Sequence, residues 1–245
     1  MSRILALPVA LLCYAAFFAS FVYLIGFAAA FEPLPSHVDK GLSAPFGMAV
    51  LIDLGLIALF ALQHSIMARP AFKAKWTKIV PAALERSIYC LTTAIALFVL
   101  FKFWHPIEGV VWSVSDPNLR MVFWGVFFLG WGILFITTWL LNHFELFGLA
   151  QAWRHFRGTQ APPSEFRTPL FYKMVRHPLY LGFFLGLWAT PDLTYSHALL
   201  AAAFTAYIVI GISYEERDLI AEFGDRYHEY QRRVGAFLPG IGKKS

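Results

Sequence analysis

Charged side chains make up only 14% of this 245-residue chain, so the polar groups that end its apolar stretches carry most of the chemical information. Two of these groups make opposite demands. In VRHPLYLG, Val175 to Gly182, Pro178 disfavours helical geometry at His177 and then serves as a first-turn residue of the helix that follows. That leaves the amides of Leu179, Tyr180 and Leu181 without intrahelical acceptors, an arrangement that attracts a carboxylate or phosphate, and Arg176 strengthens it. Gly182 removes side-chain bulk one turn in, where a ligand or another backbone can approach. In YEERDL, Glu215 and Glu216 end an uncharged span, where the helix dipole prefers cations. An ammonium group satisfies them, and so does an ion pair with Arg176 or Arg217. The first reading predicts a zwitterionic amino acid held between the two places; the second predicts plain salt bridges.

Gln63 and His64 end a second apolar stretch, and Asn142, His143 and Glu145 end a third. Imidazole titrates near neutrality, so His64 and His143 are candidate proton acceptors; each can equally bond a backbone carbonyl at a helix end. As a pair at similar depth they also suit the two axial positions of a b-type haem, which is the non-enzymatic reading. Tyr172 and Tyr180 can turn their rings to a cation or sit in a membrane aromatic belt. Asp53 lies inside an apolar stretch with no partner visible in the sequence. Cys13 and Cys90 stand at neither disulfide nor metal spacing and read as small buried hydrophobes, and no metal site is expected.

The elements that must position these groups are membrane spans. Hydrophobic residues reach 58%, and no charge occurs between Arg3 and Glu32, a run longer than the roughly 20 residues that cross a bilayer. Further spans are expected at Phe46 to Met67, Ala83 to Trp104, Leu119 to Leu141, Leu179 to Thr190 and Thr194 to Tyr214. The fifth is short, so the last two read as a tight hairpin whose first arm is tilted or only partly spanning. Leu219, Ile220, Phe223, Tyr227, Tyr230 and Val234 recur at helical spacing opposite Arg226, Glu229, Arg232 and Arg233, predicting an amphipathic helix bent at Gly224 that roofs a cavity. The fold class is therefore an all-α polytopic membrane protein of five to six transmembrane helices plus a C-terminal amphipathic cytosolic helix, in one domain over residues 1–245. Basic residues crowd the loops after spans two and four, which places both termini in the cytoplasm. The net charge of +5 reports that topology and excludes a nucleic-acid partner. Oligomeric state leaves no mark in the sequence.

Tyr172, RHPLYLG, the EE pair and the pattern L…FG..Y..Y…V..FLP resemble the isoprenylcysteine carboxyl methyltransferase and phospholipid methyltransferase superfamily of integral membrane enzymes. The resemblance covers Phe171 to Pro239 and implies a cofactor-binding half at about residues 169–239. It implies S-adenosylmethionine as the methyl donor, with S-adenosylhomocysteine as product, held at the cytosolic face by Tyr172, Arg176, His177, Pro178, Tyr180, Leu181, Gly182, Glu215 and Glu216. The upstream blocks LQHSIMARPAFK (Leu62 to Lys73) and NHFELFGLAQAW (Asn142 to Trp153) are similar to bacterial methanethiol S-methyltransferases. They imply methyl transfer to a small volatile thiol, methanethiol to dimethyl sulfide, in the bacterial inner membrane, with His64 or His143 taking the thiol proton and Arg69 or a nearby lysine as an alternative stabiliser of the thiolate. A prenylcysteine or phospholipid acceptor is the alternative within the superfamily.

Overall fold

Prolines, glycines and one aspartate set where the helices of this chain begin and end. In the computed structural model, which describes residues 3–163 and 165–243, α1 runs Arg3–Ala28 and α2 runs Phe46–Ala68. Pro70 forces Arg69 into extended geometry, which ends α2 and lets Pro70 open the short α3, Pro70–Trp76. A 3-10 turn, Ala82–Leu84, leads into α4, Glu85–Phe103. After strand β1, Val110–Ser113, Asp116 accepts a hydrogen bond from the Leu119 amide at 2.8 Å, and Pro117 occupies the first position of α5, Pro117–Leu140. Asn142 at φ 69° and Gly148 at φ 91° turn the chain through α6, His143–Leu146, into α7, Leu149–Arg157. Pro178 starts α8, Pro178–Trp188, and β2, Asp192–Thr194, leads into α9, Tyr195–Phe223. Gly224 at φ 54° separates α9 from α10, Asp225–Arg233.

Among the described residues, five helices are long and apolar enough to cross a membrane: α1, α2, α4 with its leading turn, α5 and α9. The chain is an all-α polytopic membrane protein. With 11 residues, α8 rises only about 16 Å, so it is the short arm that the sequence predicts. The last span is longer than expected, because α9 continues past Tyr214 to Phe223 and takes up Leu219 and Ile220. The expected amphipathic helix is thus confined to α10, where Tyr227 and Tyr230 are buried and Arg232 and Arg233 are exposed, while Val234 follows in extended geometry.

The helices fall into two compact units interleaved along the chain. The first comprises Met1–Val111, Asn142–Pro162 and Thr194–Leu200. In it α4 packs against α1 and α2, and α7 packs along α1 through Ala6, Ala10, Leu84, Leu149 and Ala152. The fully buried Trp104 donates from Nε1 to the Val38 carbonyl at 2.9 Å. Asp53 accepts the His105 amide at 2.9 Å, so this buried carboxylate secures the chain just beyond α4.

The second unit comprises Trp112–Leu141, Pro163–Leu193 and Ala201–Ser245. Its main packing is α5 against α8, backbone to backbone. A Cβ at Gly182 would stand 2.6 Å from the Gly130 carbonyl oxygen, and one at Gly130 would stand 2.6 Å from the Gly186 amide. Of the two uses open to Gly182 in the sequence, the structure shows the approach of another backbone. Arg120 of α5 holds Asp192 through two nitrogens at 3.0 and 2.6 Å, and Trp188 donates to Thr205 of α9 at 3.0 Å. Gly130→Ala and Gly182→Ala are each expected to destabilise the folded protein by about 1–3 kcal/mol through overpacking, read as a lowered thermal midpoint in detergent. Gly125→Ala, whose added Cβ meets nothing within 4 Å, is expected to leave the midpoint unchanged or raise it.

Candidate active site

The RHP segment enters α8 as an extended strand. Val175 bridges Gly235 in parallel, and the amides of Arg176 and His177 donate to the carbonyls of Gly235 at 2.8 Å and Ala236 at 3.1 Å. Pro178 requires this geometry: His177, at φ −125° and ψ 61°, is the cap residue, and it cannot continue a helix backwards. One expectation is corrected here. The Leu181 amide is not left open, because the helical ladder begins at the cap carbonyl and Leu181 donates to the His177 oxygen at 3.0 Å. The amides of Leu179 and Tyr180 keep no backbone acceptor among the described residues.

Around this entry the second unit gathers a buried ionic cluster. Glu216 accepts from Arg176 Nε at 2.9 Å and from His177 Nε2 at 3.1 Å on one oxygen, and from Gln231 Nε2 at 3.1 Å on the other. The carboxylate can only accept, so His177 carries its proton on Nε2. Arg176 also donates from Nη1 to the carbonyls of Val234 at 2.5 Å and Gly242 at 3.1 Å. Arg176 and Glu216 are each 5% exposed and His177 is 3% exposed, so these charges are compensated almost wholly by protein.

Glu215 is placed differently. Its Oε2 is buried and finds no hydrogen-bond partner among the described residues, with His177 Nδ1 at 3.8 Å. Tyr172 lies beside it: burial pushes the Tyr172 phenol well above its ordinary range, with Glu215 adding to the effect ahead of Tyr230 and Tyr227. The Tyr230 hydroxyl donates to the Tyr172 carbonyl at 2.6 Å, tying α10 to this wall. Tyr180 and Phe237 flank the His177 ring at 5.7 and 6.0 Å between centroids. The structure thus brings Tyr172, Arg176, His177, Pro178, Tyr180, Glu215 and Glu216 into one unit. It assigns Glu216 to the ion pair with Arg176 and leaves Glu215 with an open acceptor.

Both candidate bases belong to the first unit. His64 Nε2 is 2.9 Å from the Tyr89 hydroxyl, and its Nδ1 is 3.4 Å from Thr93 Oγ1. Thr93 donates its own proton to the Tyr89 carbonyl at 2.9 Å, so Oγ1 is left to accept Nδ1–H, which keeps Nε2 as the basic nitrogen. Phe60 stacks on the His64 ring at 5.4 Å. His143 Nε2 meets the Tyr14 hydroxyl at 2.7 Å among the rings of Phe144 and Phe147. Each Nε2 therefore faces a tyrosine hydroxyl, an arrangement unlike two imidazoles turned to one iron. Gln231, Tyr89, Tyr14 and Thr93 went unnoticed in the sequence; only Gln231 had a signal, as the uncharged polar residue on the tyrosine side of α10. Glu145 is held by Arg154 at 2.5 and 2.7 Å.

The chain is similar to methanethiol S-methyltransferases and, more distantly, to nurim. The chain is 48% identical over 240 residues to methanethiol S-methyltransferase 2 of Bradyrhizobium diazoefficiens, covering 98% of this chain and 92% of that one. It is 42% identical over 239 residues to the methanethiol S-methyltransferase of Mycobacterium tuberculosis, covering 98% of each. A more distant relative is nurim of Xenopus laevis, 34% identical over 220 residues, covering 82% of this chain and 77% of that one. No family model and no solved structure matches the chain.

Two expectations separate the structural groups from the open ones. Glu216→Gln is expected to destabilise the fold by about 3–5 kcal/mol, because Arg176 would be left buried without its counter-charge, whereas Glu215→Gln should cost under about 1 kcal/mol. Thermal unfolding of the two variants in detergent decides this, and equal effects would contradict the assignment. Burial lowers the pKa of His143 below its ordinary 6.5, so the unfolded chain takes up that proton first. Stability should fall as the pH drops below about 6.5, and the slope should flatten in His143→Gln.

Proposed function

The chain belongs to the methanethiol S-methyltransferase family, and from that premise we propose that it transfers the methyl group of S-adenosylmethionine to methanethiol, giving dimethyl sulfide and S-adenosylhomocysteine. The observation that carries the donor assignment is the buried, unpartnered Oε2 of Glu215 beside Tyr172 and the α8 entry. A carboxylate oxygen with no donor suits an ammonium group, and two open amides at Leu179 and Tyr180 suit a carboxylate. Those groups are the two ends of a methionyl moiety. When bound, S-adenosylmethionine supplies an electrophilic methyl group on a sulfonium.

Each protein group then has a distinct task. Glu215 holds the donor's ammonium, while Glu216 holds Arg176 and His177 so that the extended entry to α8 keeps its shape. Tyr172 and Tyr180 present rings to the cationic donor. An alkanethiol has a pKa at or above the roughly 8.5 of cysteine, so at neutral pH a base must take its proton. His64 is assigned that role through Nε2, with His143, held on Tyr14, as the second candidate. Attack of a thiolate on a sulfonium annihilates charge, so apolar surroundings favour the reaction over its separated ions.

The reading extends to the whole chain. Residues 1–245 act as one methyltransferase domain, with residues 169–239 as its donor half. The basic loops after α2 and α5 support an inner-membrane orientation with both termini and the reaction at the cytosolic face.

Membranes containing the protein, given labelled S-adenosylmethionine and methanethiol, are expected to release labelled dimethyl sulfide into the headspace. Transfer to prenylcysteine or phospholipid but never to the volatile thiol would refute the acceptor. Glu215→Gln is expected to weaken S-adenosylmethionine binding in calorimetry by about 1–3 kcal/mol, the value of a charge-assisted hydrogen bond. His64→Gln should lower turnover more than donor affinity and recover in part at high pH, where thiolate forms unaided.

A further inference from the structure

Arg86 occupies an unfavourable place. It lies in the first turn of α4, where the helix dipole repels a cation, and its Nε is buried with no hydrogen-bond partner among the described residues. Arg120, Arg154, Arg167, Arg176 and Arg233 each pair with a carboxylate, but no ion pair of Arg86 is formed among the described residues. The contact that the side chain does make is with Tyr89, whose ring centre lies 6.0 Å from Cζ. Tyr89 is the residue that hydrogen-bonds His64 Nε2.

Lys73 of α3 is held below the ordinary lysine pKa by burial first and by Arg86 next, with Glu85 opposing. The other titratable groups within reach of the Arg86 charge are His64 of α2 and Cys90 of α4. Two cations thus stand near one another, with the Glu85 carboxylate acting on Lys73. Around them are softer groups: the Phe60 ring on His64, and the Met67 sulfur taking hydrogen bonds from Gln63 at 3.2 Å and Thr92 at 3.3 Å.

We propose that Arg86 is the counter-ion of the acceptor thiolate, a catalytic residue that binds the sulfur while His64 takes its proton. This rests on the reading that the acceptor is a thiol. The thiol S–H bond breaks and its proton passes to His64 Nε2, directly or by exchange with the Tyr89 hydroxyl bonded to it. The electron pair left on sulfur forms the new S–C bond, and the donor's C–S bond breaks with its electrons returning to the donor sulfur. A guanidinium beside the nascent thiolate lowers the thiol's pKa in the complex.

The test is the pH profile of turnover. Arg86→Gln is expected to raise KM for methanethiol about tenfold and to move the rising limb of kcat upward by on the order of one to three pH units. Calorimetric affinity for S-adenosylmethionine should stay as in the wild type, and Arg86→Lys should restore part of the profile. Thiocyanate, a small unreactive anion with a sulfur end, should compete with methanethiol on the unaltered protein, so that the proposal is tested even if Arg86→Gln fails to fold. An unshifted profile in an active Arg86→Gln variant, lost donor affinity, or thiocyanate inhibition that is absent or not competitive with methanethiol would each overturn it. Failure of the wild type to make dimethyl sulfide would instead overturn the acceptor reading itself.

Discussion

The second unit depends on one buried carboxylate. Glu216 is reached by Arg176 and His177 from the entry to α8 and by Gln231 from α10, while Arg176 also grips the carbonyls of Val234 and Gly242. A pair of charges removed from water gains little net stability, yet breaking such a pair leaves an uncompensated charge at great cost. The cluster therefore acts as a registry device. Three stretches far apart in sequence can satisfy it only in one arrangement, and that arrangement sets Tyr172 and Glu215 side by side.

Backbone chemistry explains why the entry to α8 can be irregular. An apolar environment punishes unpaired amides and carbonyls, so extended chain survives there only when other protein satisfies it. Gly235 and Ala236 do this for Arg176 and His177, which ties the C-terminal segment to the entry of α8. On the far side, Gly130, Gly182 and Gly186 let α5 and α8 meet at backbone distance, fixing the short helix by packing that its own length could not provide.

Against these satisfied groups stand several buried atoms that find no hydrogen-bond partner among the described residues, Asp53 Oδ2, Arg86 Nε and Glu215 Oε2 among them. Glu215 keeps its Oε2 3.8 Å from His177 Nδ1, and Arg86 forms no ion pair among the described residues. His64, hydrogen-bonded to Tyr89, lies within reach of the Arg86 charge.

Local signals made much of this molecule legible. The spans follow from runs of apolar residues, Pro178 announces the start of α8 and Gly224 the end of α9, because each depends on neighbours within a few residues. The partnerships were decided elsewhere. That Asp53 holds the His105 amide just beyond α4 and that Gly182 faces a backbone depend on contacts far away in sequence, and that Glu216, not Glu215, binds Arg176 was invisible because adjacent residues of one type look alike in sequence. On a helix they point about 100° apart, and only packing determines which of them meets a partner.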